Sequence, residues 1–559
     1  MTRLASRILA GSVSRSEVRL GNVEMHAEHL EKRKLNQLAP ISRLHPEIFS
    51  NIFCHVRDSI IRPAPSMWAW GCTKDWIDLT HVCHAWRDIA INDPMLWAEI
   101  FISVEDHLEW VQEMLRRSEQ CSLSILISKP PEGTLSTSKA VDPILRELKD
   151  NMHRIRELRL LAIPIDSLDN FFSNSHARRL EYLHITIPDC TSDTASDTSS
   201  PNTPSAARFT LTNNVLRVDS LRHLSIEGCG LDFHAAFLRS LTHLELLNID
   251  EDCRLPCIEF VAILTAMPRL ERLILEEFLK DEVGDVEEFV AITNKTHLHI
   301  KYLDLSCYIL EEMVQFLCIL ILPSSCKLRL RISYDGPEIT PGFPLITSWL
   351  SRHYQSAPSF HSFRSYFRSW HIEDTSYVTS TLQVMGFYDS ELEGSHTGGE
   401  IDKALLSASV SSWHDYGSED ESIDNFWRSF LKSLPLGNIV SLEVTGDSVT
   451  PPDSVWVEVF ASLTILKTIT INSNNYAAFF HIASPDSSNS KIALPFPALS
   501  SVIVKAQCVD DYLSIANSLD SRLEAGLVPF SLVFYTDDIK SYAITQLRKS
   551  ALNVQIHQF

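Results

Sequence analysis

One six-residue pattern, apolar-x-x-apolar-x-apolar, returns along most of this chain and limits its fold more than any other feature. It reads IRELRL at 155–160, LEYLHI at 180–185, LRHLSI at 221–226, LTHLEL at 241–246, LERLIL at 270–275 and IKYLDL at 300–305. Later copies are IVSLEV at 439–444, LKTITI at 466–471 and LSSVIV at 499–504. On a strand, residues two apart face the same way, so the fourth and sixth positions point inward together. Several starts lie roughly 20 to 33 residues apart, which leaves room for one strand and one helical or irregular return. CIEFVAILTAMPRL, leading into 270–275, and WVEVFASLTI, before 466–471, have the composition of helical returns. One such unit cannot cover its own apolar face, so the units must stack. The pattern therefore predicts an α/β body with parallel strands over 102–559.

The side chains between the inward positions line one face of such a stack. They include Glu157, Arg159 and Glu245. Tyr182, His184, His223, Arg272, Tyr302 and Asp304 are the candidate residues for capturing a target there. Residues 335–435 show no clear unit, and FRSYFRSW at 363–370 is aromatic but irregular. Low-complexity stretches near 189–206, 389–424 and 484–490 are rich in Ser, Asp and Gly. They hold too little apolar surface to offset the entropy of ordering, so they read as mobile surface insertions.

Ahead of the repeats lies a dense apolar and aromatic block, within 37–101. Residues 1–36 form a polar, locally basic segment, with a short helix expected over 22–37. In ISRLHPEIFSNIF, at 41–53, Pro46 suits a first helical turn and Glu47 complements the helix N-terminal dipole. Ile48, Phe49, Ile52 and Phe53 then make a broad apolar stripe. A second helical run, WIDLTHVCHAWRDIAI at 76–91, stops at Asn92-Asp93-Pro94. Met95, Leu96 and Trp97 restore apolar bulk. So small a module is marginal alone and must pack on the chain or bind a partner.

The order Leu44, Pro46, Glu47, Ile48, Ile52, Phe53, then Val82, Cys83, Trp86, Arg87, then Pro94, Leu96, Trp97 resembles the F-box, particularly F-box-like proteins of mushroom-forming fungi. His45 stands where proline is common in that family, and the stretch from Phe53 to Trp76 is long. The resemblance implies an all-α N-terminal F-box module that binds a Skp-type adaptor and, through it, a cullin–RING core. Leu44, Pro46, Glu47, Ile48, Ile52, Phe53, Val82, Cys83, Trp86, Leu96 and Trp97 are the implied contacts. With the repeats, it implies an F-box followed by a leucine-rich-repeat-like solenoid with parallel strands. Such a chain would be a non-catalytic, substrate-recognition subunit of a ubiquitin ligase. The alternative within the same features is a scaffold that binds partners without ubiquitination.

Other classes find little support. A formal charge of -22 opposes nucleic acid as a partner. The longest largely apolar run, Met313 to Leu322, is short of the roughly 20 residues that span a bilayer. Only 17 Gly occur, and no P-loop, GxSxG or HExxH is present, so neither a cofactor nor catalysis is expected. Twelve Cys without a CxxC pair read as buried thiols of a reducing compartment, cytoplasmic or nuclear. His81, Cys83 and His84 lack a fourth ligand, so no metal is expected there. The opening MTRLASRILAGSVSR weakly resembles a transit peptide, and the plainer reading is a loose basic N-terminus.

Overall fold

Every copy of the six-residue pattern carries a parallel strand, with its fourth and sixth residues buried. In the computed structural model, the residues described are 31–61, 75–103, 106–128, 141–173, 175–187, 209–212, 216–218, 220–280, 295–307, 309–335, 342–355, 360–371, 377–387, 404–415, 421–446, 451, 453–474, 476–484, 495–507, 509, 511–527, 529–536, 539 and 541–558. The expected N-terminal helix is described over residues 31–38, and its earlier part lies outside these ranges. So do most of the linker between Phe53 and Trp76, the insertion at 189–206 and nearly all of that at 484–490. The chain divides into two compact units, Met1–Leu221 and Arg222–Phe559.

The first unit begins with α1 (Pro46–Ile61), α2 (Leu79–Val82) and α3 (His84–Ile91). A four-stranded parallel sheet follows: β1 (Glu99–Ser103), β2 (Leu123–Ser128), β3 (Ile155–Leu161) and β4 (Tyr182–Thr186). EIFIS alternates at strand period, so the residues up to 101 assigned to the helical module include most of the sheet's first strand. Ile100, Ile125, Leu158 and Leu183 stand in register as one buried row, and Ile102, Ile127, Leu160 and Ile185 as the next. Helices α4 (Leu108–Arg117), α5 (Val141–Asp150) and α6 (Ile165–Phe172) are the returns, each burying one apolar stripe.

The second unit opens with β5 (His223–Glu227), β6 (His243–Leu247), β7 (Arg272–Glu276), β8 (Tyr302–Cys307) and β9 (Lys327–Asp335), parallel neighbours in chain order. That order then breaks. β10 (Ser362–His371) pairs with β13 (Ser441–Gly446), whereas β12 (Leu406–Asp415) pairs with β9. Between them lies β11 (Tyr377–Phe387), antiparallel to both β10 and β12. Parallel order resumes with β14 (Thr468–Asn472), β15 (Ser501–Lys505), β16 (Ser531–Tyr535) and β17 (Val554–His557). Helices α7 (Cys257–Thr265), α8 (Leu310–Cys318), α9 (Gly342–Tyr354) and α11 (Asp453–Glu458) are among the returns of this unit.

This break coincides with the region where no repeat is legible. The insertion read at 389–424 is corrected in part: it contains all of β12 and the start of α10 (Glu421–Lys432). LSASVSSWHD has the composition of a solvated loop, yet its backbone is satisfied by ladders on both sides. In the same stretch the buried strand positions include Gly386, Ala408 and Ser365, small residues where other strands carry branched ones. Phe360, Phe363 and Phe367 supply the bulk instead, all fully buried. A Cβ on Gly386 would lie 2.7 Å from the Phe360 ring, so the close approach requires glycine.

Buried arginines join elements that apolar packing alone would leave with orphaned carbonyls. Arg154 donates to Leu115 O at 2.8 Å and Glu119 O at 2.7 Å, closing the C-terminal end of α4. Arg522, on α13 (Tyr512–Glu524), donates to Ala483 O at 3.3 Å, Pro495 O at 2.8 Å and Phe496 O at 3.0 Å. Ala483 is the last residue of α12 (Ala477–Ala483), so Arg522 also serves a helix C-terminus. Among the described residues, no helix is long and apolar enough to cross a membrane.

Candidate functional site

Residues 40–98 form a module whose interior is built from aromatic rings. Phe49 and Phe53, one helical turn apart on α1, lie with ring centroids 5.9 Å from each other and 5.5 and 5.3 Å from Trp86 on α3. Trp97 meets Trp76 at 5.1 Å and donates from Nε1 to Ala90 O at 2.7 Å. The Arg117 guanidinium lies 4.4 Å from the Trp97 ring centroid. Arg57 donates to Met95 O at 2.7 Å and Leu96 O at 3.1 Å, and Ser50 donates to Asp93, so the 93–97 turn is fastened to α1. Phe53, Leu96 and Trp97 are 0–2 % exposed. In this conformation these three build the module and are not contact residues. Their bulk and the ring and hydrogen-bond partners above hold them inside.

The remaining residues read from the sequence divide differently. Leu44 is 40 %, Ile48 46 %, Ile52 37 % and Val82 58 % exposed. Pro46 and Glu47 are exposed, and Cys83 and Trp86 are half-buried. Ile48 and Ile52 are one position before Phe49 and Phe53, about 100° around the helix, so α1 leaves exposed the half of its stripe that its own core does not use. Leu35, Leu38, Ile41 and Met95 are exposed as well and extend the apolar set beyond the positions named from sequence. The signal for three of them was available in KRKLNQLAPI, where isolated apolar residues follow a basic cluster. Each such side chain, about half of it already covered, gains roughly 1 kcal/mol if a partner buries the rest.

His81 lies 3.9 Å from Asp78, and His84 pairs with Asp88 at 2.8 Å one helical turn on. Among the described residues, no group of three or more His, Cys, Asp or Glu is placed to hold a metal ion.

The outward strand positions form a second candidate surface, described for each unit separately. In the first, Tyr182 lies beside Arg159, whose guanidinium is 4.8 Å from the ring centroid. Next along β4, His184 is within 3.1 Å of Thr186 Oγ1. Burial, helped by the charge of Arg159, pushes the His184 imidazole down to about 4.

In the second unit, His223, His243, Arg272, Tyr302 and Lys327 occupy one register across five strands. The two imidazole rings lie 4.0 Å apart, and the Arg272 guanidinium lies 4.0 Å from the Tyr302 ring centroid. Asp304 requires correction: at 3 % exposure it is not displayed to a partner. Its carboxylate lies 3.6 Å from Arg329 and 3.5 Å from Arg331, and Tyr302 donates to it at 3.4 Å. Burial pushes its pKa up, against the pull of the two arginines. Arg329 and Arg331 were not singled out because KLRLRI lacks the spacing of the repeats; its strict alternation is the signal that would have found them.

Buried imidazoles make stability depend on acid. His184, His243 and His353 are each pushed down to about 4 from an ordinary 6.5, chiefly by burial. The unfolded chain takes up these protons first, so stability is greatest above about pH 6.5 and falls as pH drops towards about 4. His353 stacks on Trp349 at 5.0 Å, and its Nε2 has no hydrogen-bond partner. His353→Phe keeps the stack and removes the titration. It is expected to shrink the fall in melting temperature between about pH 7 and about pH 5. Unchanged pH dependence in that variant would assign the effect elsewhere.

Compared with known proteins, the chain matches no family model and no curated protein.

Proposed function

We propose that this chain is a non-catalytic adaptor whose F-box-like module, residues 40–98, docks on a Skp-type protein of a cullin–RING ubiquitin ligase. Its stacked strand and helix units form a leucine-rich-repeat-like solenoid that presents a target. The observation that carries this reading is the division within the module. Its aromatic core is complete without Leu44, Ile48, Ile52 and Val82, which remain exposed on it. Exposed Leu, Ile and Val on a rigid helical base are suited to become the buried centre of an interface. The adaptor does no chemistry: by holding a target near a ubiquitin-charged partner it raises effective concentration. The place of action is the cytoplasm or nucleus, where the free cysteines, five of them buried among the described residues, stay reduced.

The test is copurification of the full chain with a Skp-type adaptor and cullin, followed by ubiquitin transfer in the assembled complex. A stable complex that ubiquitinates a captured target is expected. A stable complex without transfer would favour the scaffold, and absence of the adaptor would end both readings.

A further inference from the structure

Positive charge gathers on β7 and β9, either side of β8, in a chain whose formal charge is -22. Arg272, Lys327, Arg329 and Arg331 lie at outward strand positions there, with the carboxylates of Asp304 and Glu276 among them. In register, Arg329 stands between Asp304 and Ser407, and Arg331 between Ser306 and Ser409. Serines on β8 and β12 therefore neighbour the two arginines in register.

We propose that this face binds an acidic segment of a partner protein in extended form, with Arg329 and Arg331 taking two of its carboxylates. The proposal gives a chemical class to the target side of the adaptor and rests on that reading for its biological meaning. Three features carry it. First, Arg329 and Arg331 are two residues apart on one strand, about 6.5–7 Å, which is the repeat of alternate side chains in an extended peptide. Second, Asp304, the carboxylate that the two arginines share, leaves donors on them unused. Asp304 lies 3.5–3.6 Å from the two arginines, yet its Oδ1 has no hydrogen-bond partner, and neither does Arg331 Nε. Asp304 thus holds the two forks in place without using their donors on that oxygen, while Arg331 donates one N–H to Glu276 at 2.8 Å. Third, the Arg272 side chain is held over the Tyr302 ring, so a further cation is fixed beside the pair at little entropic cost.

Guanidinium forks match carboxylate geometry and bind it with charge-assisted hydrogen bonds. A nucleic-acid strand fits less well. Three strands span only about 10 Å, enough for two or three anionic groups, and the chain's net charge repels a long polyanion.

The experiment uses the full chain alone, at low salt, with a fluorescein-labelled ten-residue peptide of alternating Glu and Ser, read by anisotropy. A peptide of alternating Lys and Ser and a single-stranded ten-nucleotide DNA serve as comparisons. The Glu peptide is expected to bind most tightly, and Arg329→Gln or Arg331→Gln to weaken it by about fivefold or more. Asp304→Asn, which removes the internal competitor, is expected to tighten binding by about threefold, with Glu276→Gln as a second variant should Asp304→Asn not fold. Equal binding of the Glu and Lys peptides, tighter binding of the DNA, or weakening by both carboxylate variants would overturn the proposal. No adaptor is present in the assay. A failure here alongside intact adaptor docking removes the acidic target and leaves the proposed function standing, and the converse result does the reverse.

Discussion

Ile48→Asp combined with Val82→Asp is expected to abolish capture of the Skp-type adaptor while the chain stays folded. Both positions are about half exposed or more, at 46 % and 58 %. Phe49, Phe53, Trp86 and Trp97 keep their packing, so the loss of stability should be about 1 kcal/mol or less. Two lost apolar anchors, each worth roughly 1 kcal/mol for the half still exposed, together with two carboxylates forced against an apolar partner, weaken binding by more than about 100-fold. Calorimetric titration with the purified adaptor, alongside a melting curve, reads both quantities. Phe53→Ala provides the contrast. It leaves a cavity beneath Trp86 and costs about 3–5 kcal/mol of stability, so it removes docking by unsettling the module. Full affinity in the double Asp variant would show that the exposed apolar residues of α1 and α2 are not the docking surface.

Arg522→Ala is expected to destabilise the second unit by about 3 kcal/mol. Its guanidinium is fully buried and serves three carbonyls, on Ala483, Pro495 and Phe496, the last of which also accepts from Leu499 N at 3.2 Å. Removing it returns the cost of burying a charge, a cost visible in the fall of its pKa to about 10 through desolvation, but it takes a donor from all three acceptors. Arg522→Lys is expected to recover only part of the loss, because a single ammonium cannot span the acceptors as a planar fork does. Denaturant unfolding followed by limited proteolysis measures the effect, with early cleavage expected between α12 and α13. A change below about 1 kcal/mol in Arg522→Ala would show that the carbonyls find water or each other instead.

Much of the sheet was legible because strand period and repeat spacing agree: the first, fourth and sixth residues of each copy are buried, as in Leu241, Leu244 and Leu246. Legibility failed where two neighbouring rules compete. In β12, serine-rich composition argues for a loop, whereas pairing on both edges makes a strand. At Gly386 the space a side chain would take is filled by the Phe360 ring from elsewhere in sequence, so the strand's own pattern lapses there. For the module, sequence named the apolar stripe of α1 but not which half turns inward. That choice is set by the Trp86 ring, which takes Phe49 and Phe53 and leaves Ile48 and Ile52 outside. Asp304 shows the same limit on the strands. Its outward parity was readable, but the two arginines that cover it stand on the next strand.

The reversal of strand order after β9 also sets a schedule for the newborn chain. As it leaves the ribosome, β9 finds β8 at once, but its other edge is not covered until Leu406–Asp415 emerges. β10, made earlier than β12, waits in turn for β11 and then for Ser441–Gly446. Unpaired strand edges recruit foreign strands, and this interval is the longest in the second unit. Growth by adding one unit at a time, natural for a stacked array, must pause here until three strands close together. Residues 327–446 are therefore where synthesis of this protein depends most on being shielded.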